Sequence, residues 1–151
     1  MKWTYTVEAN APVEAIYETI LRPENWFSFY PGYQGLEAVK GDWPCAGSAI
    51  VVRFGLSRQC SIRLRQTVVL HQPNKYLELH EKALRGTWID RPAFSFEARG
   101  RKTFITVTLR PSTRLLPLLP MIWLIARLFS FVTPRAMERL SAAIEAGSTA
   151  R

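Results

Sequence analysis

Apolar and polar residues alternate along most of this chain, and the period changes to a helical one near both ends. Lys2 to Glu8 sets Trp3, Tyr5 and Val7 against Lys2, Thr4, Thr6 and Glu8, the period-two signature of a half-buried strand. Asn10-Ala11-Pro12 punctuates it, with Pro12 placed as a first helical residue. Val13, Ile16, Tyr17, Ile20 and Leu21 then fall on one face of a helix that Pro23 ends. An aromatic-rich piece, Glu24 to Tyr30, reads as a short second helix closing at Pro31-Gly32.

Six further strands follow. Gly35–Lys40, Ser48–Phe54, Gln59–Leu70, Tyr76–Lys82, Leu84–Glu97 and Thr103–Leu109 are separated by turn residues, and Pro92 marks a bulge or break in the fifth of them. Gly100-Arg101 is a hairpin turn. In Gln59–Leu70 the even positions Cys60, Ile62, Leu64, Val68 and Leu70 are apolar, and Gln66 is the exception. Such alternation fits an antiparallel sheet with one covered and one wet face. Beyond it, Leu118 to Val132 is apolar almost all round, which predicts a buried helix. Thr133-Pro134 reads as a cap and first-turn proline for a last stretch carrying Met137, Leu140 and Ile144, with Gly147 as its stop. The expected order is β-α-α-β6-α, an α+β fold of about seven strands with a long or broken C-terminal helix.

Composition narrows the class. The 151 residues are 48% hydrophobic and 21% charged, which excludes a disordered tail, a collagen-like rod and a cysteine-stapled miniprotein. No repeat or linker divides residues 1–151, so one domain is the economical reading. Cys45 and Cys60 form no metal-binding pattern with His71 and His80, and free thiols are the expected state, a single bridge being the alternative. No metal or other cofactor is called for. The first residues lack the apolar run of a signal peptide, so a cytoplasmic location is the expectation. Pro117, Pro120 and Arg127 argue against reading Leu115–Val132 as a membrane span.

Charge adds direction. The net charge is +8, yet residues 1–98 carry eleven basic and ten acidic groups, while residues 99–151 carry nine and two. Basicity and greasiness therefore coincide in the last third. That combination favours an anionic or membrane-derived ligand, or peripheral contact with the inner face of a membrane, over nucleic acid.

Ala11-Pro12-Val13-Glu14-Ala15-Ile16-Tyr17, then Arg22-Pro23-Glu24-Asn25-Trp26 with Pro31 soon after, resembles the opening of the SRPBCC superfamily. That superfamily includes START-related lipid-transfer domains, Bet v 1-like proteins and polyketide cyclase/dehydrase-like proteins. Gly47 before a strand and the terminal Met137-Glu138-Arg139-Leu140 are similar as well, and the resemblance covers essentially the whole chain. It implies a helix-grip fold, in which an antiparallel sheet wraps a long C-terminal helix around a hydrophobic cavity. Leu115–Val132 departs from the family by its length and apolarity.

The candidate chemistry is thin. His80 shares the parity of Tyr76 and Glu78, opposite Leu77 and Leu79, which points it to solvent, and His71 sits beside a turn. Asp90 shares the parity of Trp88, Phe94 and Phe96. It is therefore either a cavity carboxylate with a raised pKa or an acid paired with Arg91 or Arg85 near the Pro92 break. Arg53 is a possible clamp for an acidic head group. The aromatics are the stronger signal: Trp26, Phe27, Phe29 and Tyr30 cluster within five residues. They serve either as core or as one cavity wall, opposite Trp88, Phe94, Phe96, Leu118, Ile122 and Trp123. Arg110, Arg114 and Arg127 are the candidates for membrane or anion contact. The expectation is a monomer or homodimer that binds or transports a lipid, polyketide or quinone-like molecule. The alternatives are a cyclase/aromatase-like enzyme using Asp90 and a membrane-surface adaptor.

Overall fold

The computed structural model describes residues 2–55, 57, 59–113, 115, 117 and 119–149; for Leu84, Ala126 and residues 147–149 only the backbone is described. Strand β1 (Trp3–Ala9) leads into helix α1 (Val13–Ile20). Strands β2 (Tyr33–Lys40), β3 (Ala49–Gly55), β4 (Ser61–Gln72), β5 (Tyr76–Ala83), β6 (Trp88–Asp90), β7 (Ala93–Arg99), β8 (Lys102–Leu109) and β9 (Ser112–Thr113) follow. Helix α2 (Leu119–Thr149) ends the chain. The sheet is antiparallel with strand order β1-β8-β7-β5-β4-β3-β2, and the two short strands hang off it, β6 on β5 and β9 on β6.

Alternation sets which face each strand buries. Leu77, Leu79, Glu81 and Ala83 point inward from β5, and Ile105 and Val107 from β8. The opposite face is wet and carries threonine pairs, Thr4 with Thr108 (3.3 Å) and Thr6 with Thr106 (3.0 Å). Helix α1 lays Val13, Ile16 and Tyr17 on the inner face, and α2 adds Ala136, Met137 and Leu140 to the same core. Burying each large aliphatic side chain in such a core contributes about 1.5–3 kcal/mol.

Four expectations change. Pro12 is the N-cap of α1 and lies one residue before the helix. Residues 24–30 form successive turns instead of a second helix, because Phe27 takes a left-handed conformation (φ 62°) that no helix accommodates. The fifth predicted strand splits in two. Arg85 is left-handed (φ 56°), and Pro92, between β6 and β7, gives up a ladder donor while its carbonyl accepts from the Leu79 N–H (2.9 Å). At the C-terminus, Thr133 caps nothing and Gly147 stops nothing: α2 runs unbroken through both, with Pro134 inside it. The turn containing the proline keeps an added bond, from the Thr133 hydroxyl to the Phe129 carbonyl at 2.6 Å.

Bulges settle two facings. A register shift between Val68 and Leu70 turns Leu70 outward and puts His71 opposite the buried Leu77. His71 then stacks on Tyr17 of α1 and hydrogen-bonds its hydroxyl, so it belongs to a packing contact instead of a solvated turn. His80 keeps the outer face expected of it. Tight approach fixes one glycine. A Cβ on Gly55 would come within 2.1 Å of the Cys60 carbonyl oxygen, so the end of β3 admits no side chain.

Candidate ligand cavity

Three chambers lie between the inner face of the sheet and α2, and they share walls. The first, about 40 Å³, is bounded by Ile20, Trp26, Phe27, Tyr30, Phe94, Phe96 and Met137, among others. The second, also about 40 Å³, shares Phe27, Tyr30, Phe94 and Val107 with it and adds Tyr5, Glu81, Trp88, Asp90 and Phe129. The third, about 200 Å³, shares Leu64, Glu81, Trp88, Ile125 and Phe129 with the second and is otherwise lined by Phe54, Ile62, Ala83 and Met121. The first half of α2 closes the series through Met121, Ile125 and Phe129.

Polar groups are few and concentrated. Gln66 is fully buried on β4. The Trp26 indole N–H bonds its side-chain oxygen, which turns the amide nitrogen toward Glu81 Oε2 at 2.7 Å. The Trp88 indole donates to Glu81 Oε1 at 3.2 Å. Glu81 and Asp90 sit directly opposite each other across the β5–β6 pair, so both carboxyls face the same side. Burial, with the Asp90 charge beside it, pushes Glu81 up to about 7. Burial likewise raises Asp90 to about 6, against two backbone N–H bonds, from Arg91 and Arg110 at 2.7 Å each, that favour its ionised form. Tyr5, raised to about 12 by burial, and Tyr30, also raised by burial, meet at the Thr133 hydroxyl (3.0 and 3.1 Å).

The predicted site residues separate into groups. Trp26, Tyr30, Trp88, Phe94, Phe96 and Asp90 all line the chambers, and Asp90 has no ion pair with Arg91 or Arg85 among the described residues. Phe29 packs on the core without lining them. Ile122 is buried away from them, and Trp123, 42% exposed, is set edge-to-face on Trp3. The expectation of a buried helix fails over this stretch, because the outer positions of α2 before Pro134 are apolar and exposed. Leu118 and Arg114 lie outside the described residues. Arg110 and Arg127 are exposed, the latter stacked over the rings of Trp123 and Phe131. Arg53 points outward and shares Glu37 with Arg63, so it clamps nothing in the cavity. Both cysteines are free.

Sequence reasoning missed Glu81, Gln66, Tyr5 and Thr133. For the first two the signal was present: Glu81 has the parity of Leu77 and Leu79, and Gln66 that of Leu64 and Val68. No group of three or more potential metal ligands occurs among the described residues, and no described helix is long and apolar enough to cross a membrane.

Comparison with known proteins agrees on the fold. A START superfamily protein from Mycobacterium smegmatis superposes with a TM-score of 0.74 at 18% identity, covering 95% of this chain and 97% of its own. The Zhui aromatase/cyclase from Streptomyces sp. R1128 gives 0.73 at 11% identity, with 96% and 93% covered. DynU16, from the dynemicin biosynthetic locus, gives 0.66 at 18% identity; 97% of this chain is covered, and the chain spans about half the length of that protein. No family model and no curated protein matches the sequence. The chain thus has the helix-grip fold of START-type proteins, with a large antiparallel sheet around a long C-terminal helix.

Proposed function

We propose that this chain binds a hydrophobic small molecule between its sheet and α2, with outward movement of the first half of that helix admitting it. The observation that carries this reading is the run of adjoining apolar chambers that share walls, closed on one side by a single helix and interrupted by one cluster of polar groups. Ligand sites are built this way: apolar walls supply affinity at about 25 cal/mol per Å² buried, and a few fixed polar groups supply orientation. Native mass spectrometry of protein purified from cells, followed by solvent extraction, tests it. The expected result is a stoichiometric adduct that extracts as an apolar compound. A spectrum of bare protein, unchanged after incubation with lipid extract, would sink the reading.

Two observations favour further roles. Asp90, near 6, and Glu81, near 7, are partly protonated around neutrality, as a general acid–base requires. This supports a cyclase-like enzyme, and retention of full turnover by Asp90→Asn on an identified substrate would remove it. The other is the outer face of α2, where Leu124, Leu128 and Phe131 are 60%, 57% and 65% exposed beside Arg127. Residues 98–137 contain seven basic side chains and no acidic one. An apolar ridge in a cationic field suits an anionic membrane surface, at which an apolar ligand would be collected or delivered.

A further inference from the structure

With Asp90 and Glu81 ionised, the polar groups that line the cavity offer a ligand acceptors only. None of the three chambers is lined by Lys, Arg or His among the described residues. The donors present are already spent. The Trp26 N–H goes to Gln66, one Gln66 amide hydrogen and the Trp88 N–H go to Glu81, and the backbone N–H groups of Arg91 and Arg110 go to Asp90 Oδ1, while Gln66 itself lines none of the chambers. The hydroxyls are spent in the same way. Thr133 uses its one proton on the Phe129 carbonyl, so the bonds that Tyr5 and Tyr30 make to it must be donated by the tyrosines. Both phenol oxygens are left with lone pairs alone.

One acceptor has no partner. Asp90 Oδ2 makes no hydrogen bond, yet no fully enclosed side-chain nitrogen or oxygen among the described residues lacks one. This oxygen is therefore not fully enclosed, and Asp90 lines the second chamber with Tyr5, Tyr30 and Glu81. An anionic head group placed there would lose its hydration, gain no donor and meet two carboxyls. A donor-bearing cation would be met by several preoriented acceptors in a site of low dielectric.

We infer that the ligand is an amphiphilic amine, its apolar body in the chambers and its ammonium group on Asp90 Oδ2 and the neighbouring phenol oxygens. This rests on the cavity reading above and narrows it. It also separates the two kinds of charge in the molecule, because none of the described arginines lines the chambers, and Arg110 and Arg127 are exposed.

Decylamine, decan-1-ol and decanoate share a tail and differ in the head, so together they test the two claims separately. Titration calorimetry at pH 8, with the amine and decanoate measured by displacement of decan-1-ol, excludes binding to surface arginines. The amine is expected to bind at least about tenfold tighter than decanoate, one charge-assisted contact being sufficient for that ratio. Asp90→Asn should bring the amine to within about threefold of the alcohol; should that variant not fold, Glu81→Gln is expected to narrow the same gap. Decanoate matching or exceeding the amine, or an amine affinity untouched in the variants, overturns the amine assignment while the cavity reading stands. Failure of all three compounds to bind overturns the cavity reading itself.

Discussion

Gln66 occupies a position that its strand reserves for apolar residues, between the inward Leu64 and Val68. Its burial is offset because both ends of the amide are bonded, to the Trp26 indole and to Glu81. Trp26→Phe keeps most of the ring packing and leaves the Gln66 oxygen without a donor. The expected cost is about 1–3 kcal/mol, read as a shift in the urea midpoint at constant slope. The carboxyls give a second prediction. Glu81 and Asp90 titrate higher in the folded chain than in the unfolded one, so between about pH 4 and pH 7 the folded state holds more protons. Their contribution is complete at the acid end of that window and is lost as pH rises through 6 and 7. Urea unfolding at pH 5 and pH 8 should therefore find this part of the stability larger at pH 5, and Asp90→Asn should flatten the difference. Residue-scale chemistry was partly legible. A polar residue on the apolar parity of a strand marks a satisfied buried group or a site residue, which is how Asp90 drew notice and how Gln66 and Glu81 qualify. Thr133 was not legible, since Thr-Pro in sequence looks like a helix start, and only the long-range bonds to Tyr5 and Tyr30 assign the hydroxyl elsewhere.

At the scale of elements, α2 holds two functions in one helix. Its inner stripe, Thr133, Ala136, Met137 and Leu140, is buried against the core, and Leu140→Ala should cost about 2–5 kcal/mol in thermal or urea unfolding. The outer face changes character at Pro134. Before it the exposed positions include Met121, Trp123, Leu124, Leu128 and Phe131; after it they are Arg135, Glu138, Arg139, Glu145 and three alanines, Ala142, Ala143 and Ala146. Leu124→Asp with Leu128→Asp should leave stability within about 0.5 kcal/mol, since neither side chain is in the core. Flotation with anionic vesicles should lose the double variant and retain the parent chain, whereas equal flotation of both would free the ridge of that role. Strands were readable because alternation survives wherever one face is covered, as in β5 and β8. The piece at 24–30 was not, because its helical composition is overridden by one left-handed residue, Phe27. The bulge at Val68–Leu70 was equally hidden, and it alone decides that His71 faces Tyr17.

For the molecule as a whole, the succession of strands and the long helix follow from a pattern that sequence displays, whereas the cavity follows from shape. Whether aromatics at Trp26, Tyr30, Trp88 and Phe94 fill a core or wall a chamber depends on distances between distant elements, which no local pattern encodes. The segregation of charge is likewise a three-dimensional fact: the basic surface and the acidic cavity belong to one basic sequence. The most direct measurement is a crystal structure determined with decan-1-ol present. The account predicts a single alkyl chain running between Tyr30, Phe94, Val107 and Phe129, under an outwardly shifted first half of α2. An occupied site confined to the outer face of α2, with the chambers unchanged and empty of ligand, would contradict it.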